Sequence, residues 1–139
     1  MKLTATELRD ILLRYKKIAV VGLSTRTDRS SFEIAEYLKA HGYDVVGVNP
    51  GVVQAAGCPV YATLDQVPQP LEILNVFRAS AHVPAVVEAV LALAPERRPK
   101  VLWLTEGVMH PEAERQAEAV GIKVISNCCI MQEHQKLRL

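Results

Sequence analysis

The sequence predicts an α/β protein with a doubly wound, mostly parallel five-stranded sheet in the order 3-2-1-4-5 and helices on both faces. Two observations carry this. Short apolar runs, continuous rather than alternating, recur along the chain at Ile18–Val21, Val45–Val48, Leu71–Phe77, Val101–Leu104 and Ile122–Ser126. Such runs belong to strands buried on both faces, which is the habit of parallel sheets. Segments with helical spacing of apolar residues separate them, so each strand is followed by a crossover, and right-handed crossovers wind the sheet in both directions.

Each element has a local cause. Thr4 and Glu7 form the pattern of a capping box, and Leu8, Ile11, Leu12 and Tyr15 then recur on one helical face, predicting a helix over about 4–15 on the outside of the sheet. The first strand spans 18–22. A polar loop, 23–30, leads to Ser30 or Ser31 as the cap of a second helix with Phe32, Ile34, Ala35 and Leu38 inward, and Gly42 ends it as a left-handed cap. The second strand stops at Asn49-Pro50-Gly51. Cys58–Tyr61 reads as a short extended piece and Thr63–Val67 as a single helical turn. After the third strand, residues 81–94 form a helix with Pro84 in its first turn and Val83, Val86, Val87, Val90 and Leu91 on one stripe. Pro95–Pro99 is a connector. Pro111 opens a helix that Gly121 closes, and a short polar tail follows the fifth strand and Asn127-Cys128-Cys129.

Bulk properties narrow the function. The chain has 139 residues, expected as a single domain (1–139) with residues 1–17 as an N-terminal helical extension. A net charge of +1 gives no global attraction to nucleic acid or to an anionic membrane. No apolar run approaches the roughly 20 residues of a membrane helix, and the N-terminus lacks a signal-peptide core. Three cysteines without a Cys-x-x-Cys fit neither a disulfide framework nor a zinc cage, so a reducing cytoplasm is expected; four scattered histidines make no metal spacing.

Ligands of such sheets bind beyond the carboxyl ends of the strands, where the strand order reverses. Gly22, Leu23, Ser24, Thr25 and Arg26 follow the first strand and Asn49 and Pro50 the second. Phe77 and Arg78 end the third, Glu106 and Gly107 follow the fourth, and Asn127, Cys128 and Cys129 the fifth. Together they supply backbone donors, guanidinium groups, small polar groups and an aromatic ring, which suits a nucleotide with phosphates. The dinucleotide fingerprint keeps only its first glycine, Gly22, and the second strand ends in Asn49 where an NAD site wants a carboxylate. The P-loop pattern is absent. Arg26 and Arg29 suit a ligand with phosphates beyond one pyrophosphate.

Val21-Gly22-Leu23-Ser24, Val48-Asn49-Pro50, Val76-Phe77-Arg78, Leu104-Thr105-Glu106-Gly107 and Asn127-Cys128-Cys129-Ile130-Met131-Gln132-Glu133-His134 resemble, in order and spacing, the small stand-alone CoA-binding proteins. That family shares its Rossmann-like domain with the N-terminal part of the succinyl-CoA ligase α subunit. The resemblance covers nearly everything after Lys16. It implies CoA or an acyl-CoA as ligand, with the pyrophosphate at the Gly22–Arg26 turn and the adenosine end near Asn49-Pro50. Ser24, Arg26, Phe77, Arg78 and Glu106 would carry the remaining contacts, with Leu23 and Val48 against adenine. One departure is clear: the ligase pattern has a lysine shortly after the proline, where this chain has Gly51 and Val52. The ligase's phosphohistidine belongs to a further domain, so binding carries over and ligase chemistry does not.

The expectation is therefore non-catalytic binding of a CoA ligand, with no catalytic residue, no metal, and no nucleic acid or membrane partner; the protein partner stays open. Two other classes stay open beside it. One is a small NAD(P)-binding oxidoreductase-like protein. The other is an acyl-CoA-processing enzyme using Cys128 or Cys129, although these thiols read more simply as small buried hydrophobes.

Overall fold

The computed structural model describes residues 3–137. Its helices are α1 (Ala5–Arg14), α2 (Ser30–Ala40), α3 (Val83–Ala92), α4 (Pro111–Ala119) and α5 (Ile130–Lys136). Its strands are β1 (Lys17–Val21), β2 (Asp44–Val48), β3 (Gln54–Ala55), β4 (Cys58–Tyr61), β5 (Ile73–Val76), β6 (Val101–Leu104) and β7 (Lys123–Ile125). They form one seven-stranded sheet in the order β3-β4-β2-β1-β5-β6-β7, parallel except for the β3–β4 pair.

The expected sheet of five strands in the order 3-2-1-4-5 is corrected on two points. The extended piece 58–61 is a strand and takes the place beyond β2, with Gly47 paired to Val60 and Val48 to Tyr61. Pro59 lies outside that register, so its missing N–H costs the β2 ladder nothing. With that place filled, β5 pairs with the other side of β1, Ile18 opposite Ile73 through Val21 opposite Val76. The order therefore reverses between β1 and β5, not between β1 and β6 as the 3-2-1-4-5 arrangement implies.

Alternation of side chains along each strand serves two cores. Ala19 and Val21 of β1 join the cluster under α3 and α4, with Val83, Val87, Val90, Ala113 and Ala117. Ile18 and Val20 join the cluster under α1, α2 and α5, with Leu12, Leu38, Trp103 and Ile130. That is the two-sided cover the continuous apolar strands predict. α1 buries Ile11 and Leu12 in this second cluster, and its Thr4–Glu7 capping box is formed.

Two helical expectations change. α2 starts at Ser30 behind Arg29 and has no side-chain cap; Ser31 turns its hydroxyl to the Ser24 N–H instead, at 3.0 Å. Phe32 is half-buried and lies outside both clusters. The expected polar tail is the helix α5. It is short and mostly polar, but Ile130 and His134 lie one turn apart on its inner face and are both buried.

Candidate functional site

The site is built where β1 and β5 part. Gly22 leaves β1 with φ of +86°, and its N–H donates to Val48 O at 2.8 Å. A Cβ at this position would stand 2.6 Å from the Phe77 carbonyl oxygen and 3.5 Å from Arg78 Nε. Glycine is thus required twice over, for the left-handed backbone and for the close approach of the β5 exit. The same distances place the Arg78 guanidinium beside the glycine. Among the described residues Arg78 makes no ion pair.

The loop from Leu23 to Arg29 is held by its own polar groups. Leu23 is fully buried and packs over Gly47, where a Cβ would come within 2.7 Å of Leu23 Cδ2. Ser24 accepts from the Arg26 N–H at 3.0 Å. Asn49 Nδ2 donates to Leu23 O at 2.9 Å. The uncapped N-terminus of α2 leaves its first N–H groups facing this loop, with the positive end of the helix dipole. Arg26 is paired with Asp28 through two contacts of 3.2 and 2.9 Å, both side chains being largely exposed.

An open cavity of about 640 Å³ lies over these groups. Gly22, Ser24, Arg26, Phe77, Arg78 and Glu106 line it, so six of the residues expected from sequence share one cavity. Leu23, Thr25, Asn49, Pro50 and Gly107 do not line it. Leu23 and Val48 are buried in the core. Asn49 faces the loop, and Pro50 and Thr25 are exposed outside the cavity. Gly107 instead donates its N–H to Asn127 Oδ1 at 2.7 Å. Sequence reasoning left out Asp28, Ser31, Ile34 and Ala79 as site residues, all of which line the cavity. Ser31 carried a signal as a helix-start residue, but its bond to Ser24 depends on how the loop folds back.

The thiols divide. Cys58 is buried. Cys128 is half-buried with its Sγ 3.6 Å from Glu133 Oε1; burial first, and then the nearby carboxylate, push its pKa up to about 11. Such a thiol is protonated near neutral pH and is a poor nucleophile. Cys129 is half-buried and lines the cavity. His110 caps α4 by accepting from the Ala113 N–H at 3.2 Å. Buried His134 meets Tyr37 OH at 2.7 Å, and neither residue lines the cavity. Among the described residues no group of three or more His, Cys, Asp or Glu side chains could hold a metal ion, and no helix is long and apolar enough to cross a membrane.

Comparison with known proteins identifies the family and the fold. The family described as CoA binding domain matches residues 16–135. The "Uncharacterized protein YneT" of Bacillus subtilis (strain 168) is 37% identical over 128 residues, 92% of each chain. A "hypothetical protein from Pyrococcus horikoshii OT3" superposes with a TM-score of 0.90 at 34% identity, covering 99% of this chain and 94% of that one. A protein from Thermus thermophilus gives 0.84 at 33% identity, covering 97% and 99%. The matched span runs from just before β1 to the last turn of α5 and so includes the whole cavity wall. The chain belongs to the CoA-binding domain family and has its Rossmann-like fold.

Proposed function

We propose that this protein binds CoA or an acyl-CoA non-covalently in the cavity over Gly22. One observation carries the reading: the Arg78 guanidinium beside Gly22, without an ion pair among the described residues, lines the same cavity as the open N-terminus of α2. A positive side chain and a helix N-terminus in one cavity are what a pyrophosphate needs, and both lie at the reversal of strand order. Arg29, at the start of α2, and Arg26 add further positive charge for a ligand with more than two phosphate groups. The adenosine end would extend towards the Asn49-Pro50 turn, and the pantetheine arm would cross Phe77 towards Thr105 and Glu106. The volume falls within the range of about 300–1,000 Å³ usual for ligand sites.

The capping role of His110 supports binding without covalent chemistry. Calorimetric titration of the protein with CoA, with NAD, NADP and ATP as controls, tests the proposal. Micromolar CoA binding with weak controls is the expected result. Preference for NAD or NADP would overturn it in favour of an oxidoreductase-like role.

A further inference from the structure

We propose that Asn49 and Asn127 are positioning residues of the cavity: each holds one of its two wall-forming loops through the side-chain amide, Asn49 by donating and Asn127 by accepting. The inference rests on the CoA reading for its ligand, and on geometry alone for its loops.

The two asparagines occupy related places. Asn49 follows β2, the strand beside β1, and Asn127 follows β7, the strand beside β6. Neither lines the cavity. The Asn49 backbone N–H is fixed on Tyr61 O at 2.9 Å, and from that anchor Nδ2 reaches Leu23 O at 2.9 Å. Leu23 lies between Gly22 and Ser24, which both line the cavity. Its side chain is already locked over Gly47, so the amide bond completes the fixing of this loop from the carbonyl side.

Asn127 works across the other wall. Its backbone N–H donates to Val108 O at 3.0 Å, and its Oδ1 accepts from the Gly107 N–H at 2.7 Å. The segment between β6 and α4 that it clasps supplies Thr105, Glu106 and Val108 to the cavity. The next residue is tied down as well: Cys128 N–H donates to Leu104 O at 3.3 Å, and Trp103 Nε1 donates to Cys128 O at 2.9 Å. Asn127 holds φ of +51°, a conformation that asparagine tolerates better than most residues with a side chain. A residue in that conformation, with its backbone N–H and its side-chain Oδ1 both in use against one loop, is a clasp rather than a surface polar group.

The two bonds differ in direction, which makes the proposal separable from a general loss of packing. Aspartate keeps the acceptor oxygen and loses the donor. Asn49→Asp sets a carboxylate oxygen against the Leu23 carbonyl, whereas Asn127→Asp still accepts from Gly107. Asn127→Gly keeps the left-handed backbone available and removes the acceptor alone.

The test measures CoA affinity and amide hydrogen exchange on the intact protein and these three variants. N49D is expected to weaken CoA binding by about tenfold and to speed exchange at the Ser24 and Arg26 amides. N127G is expected to weaken binding similarly and to speed exchange at Gly107, and N127D to restore both towards the parent. Parent-like CoA binding by N49D would overturn the proposal for Asn49. Loss in N127D equal to that in N127G would overturn it for Asn127. Should the parent protein fail to bind CoA, the ligand reading falls, while unchanged exchange at the three amides would still overturn the loop-holding role and accelerated exchange would still support it.

Discussion

The carbonyl oxygen of Phe77 stands 2.6 Å from where a Cβ on Gly22 would be. The exits of β1 and β5 are thereby packed backbone to backbone at the point where the strand order reverses. Gly22→Ala must move one of two main chains and also place an L residue at φ of +86°. We expect a loss of about 2 kcal/mol or more in urea unfolding, together with loss of CoA binding. Parent-like stability would show that the two exits can separate at little cost.

Arg78 and Arg26 should not contribute equally. Among the described residues Arg78 is without an ion pair, so Arg78→Ala should cost about 1.5–3 kcal/mol of CoA affinity, read by calorimetry, as a charge-assisted bond is lost. Arg26 must first leave Asp28, and Arg26→Ala should cost less. Neither side chain is buried, so thermal midpoints should stay within the small range of surface substitutions. A larger affinity loss for Arg26 than for Arg78 would reverse the assignment of the main phosphate contact.

Acid should weaken the fold through His134. Burial first, and then His41 and Lys16, hold its pKa below the ordinary 6.5. Tyr37 and Tyr43 complete the surroundings of the ring. A depressed histidine pKa means that the unfolded chain takes up the proton before the folded one does. The full stability is therefore present above the ordinary value and is lost as pH falls below it. Urea midpoints measured between about pH 7.5 and 5.5 should fall, and His134→Gln should flatten that part of the slope. An identical slope in the variant would assign the loss to other groups.

Cys128 should be unreactive. With its pKa pushed up to about 11, alkylation by iodoacetamide near neutral pH should be slow and should accelerate with pH well past the range of an ordinary thiol. Cys128→Ser should leave CoA binding in place. Fast labelling at neutral pH would reopen a thiol-based role.

Much of the fold was legible because it depends on short-range pattern. Continuous apolar runs located β1, β2, β5, β6 and β7, and Gly42 and Gly121, both in left-handed conformations, marked the ends of α2 and α4. β3 was not legible: two residues carry no periodicity. α5 was missed because its two buried residues are Ile130 and His134, and a buried histidine reads as polar in sequence. Phe32 shows the opposite error, an aromatic residue at an inward-reading position that the core does not take up.

By itself the sequence determined the αβ alternation, the glycine turn after β1 and the set of strand-end segments that could meet a ligand. Those follow from residue chemistry acting over a few positions, such as the conformational freedom of glycine and the burial preference of branched apolar side chains. Tertiary structure decided which strand lies beside β1, because β4 fills the place beyond β2 and sends β5 to the other side. Strand neighbours are chosen by competition among distant segments for the same edge, and local pattern does not record that competition. Its outcome brings Arg78, rather than the segment after β6, next to Gly22. The same long-range pairing sets Asn49 Nδ2 on the Leu23 carbonyl, a contact that only the folded sheet shows.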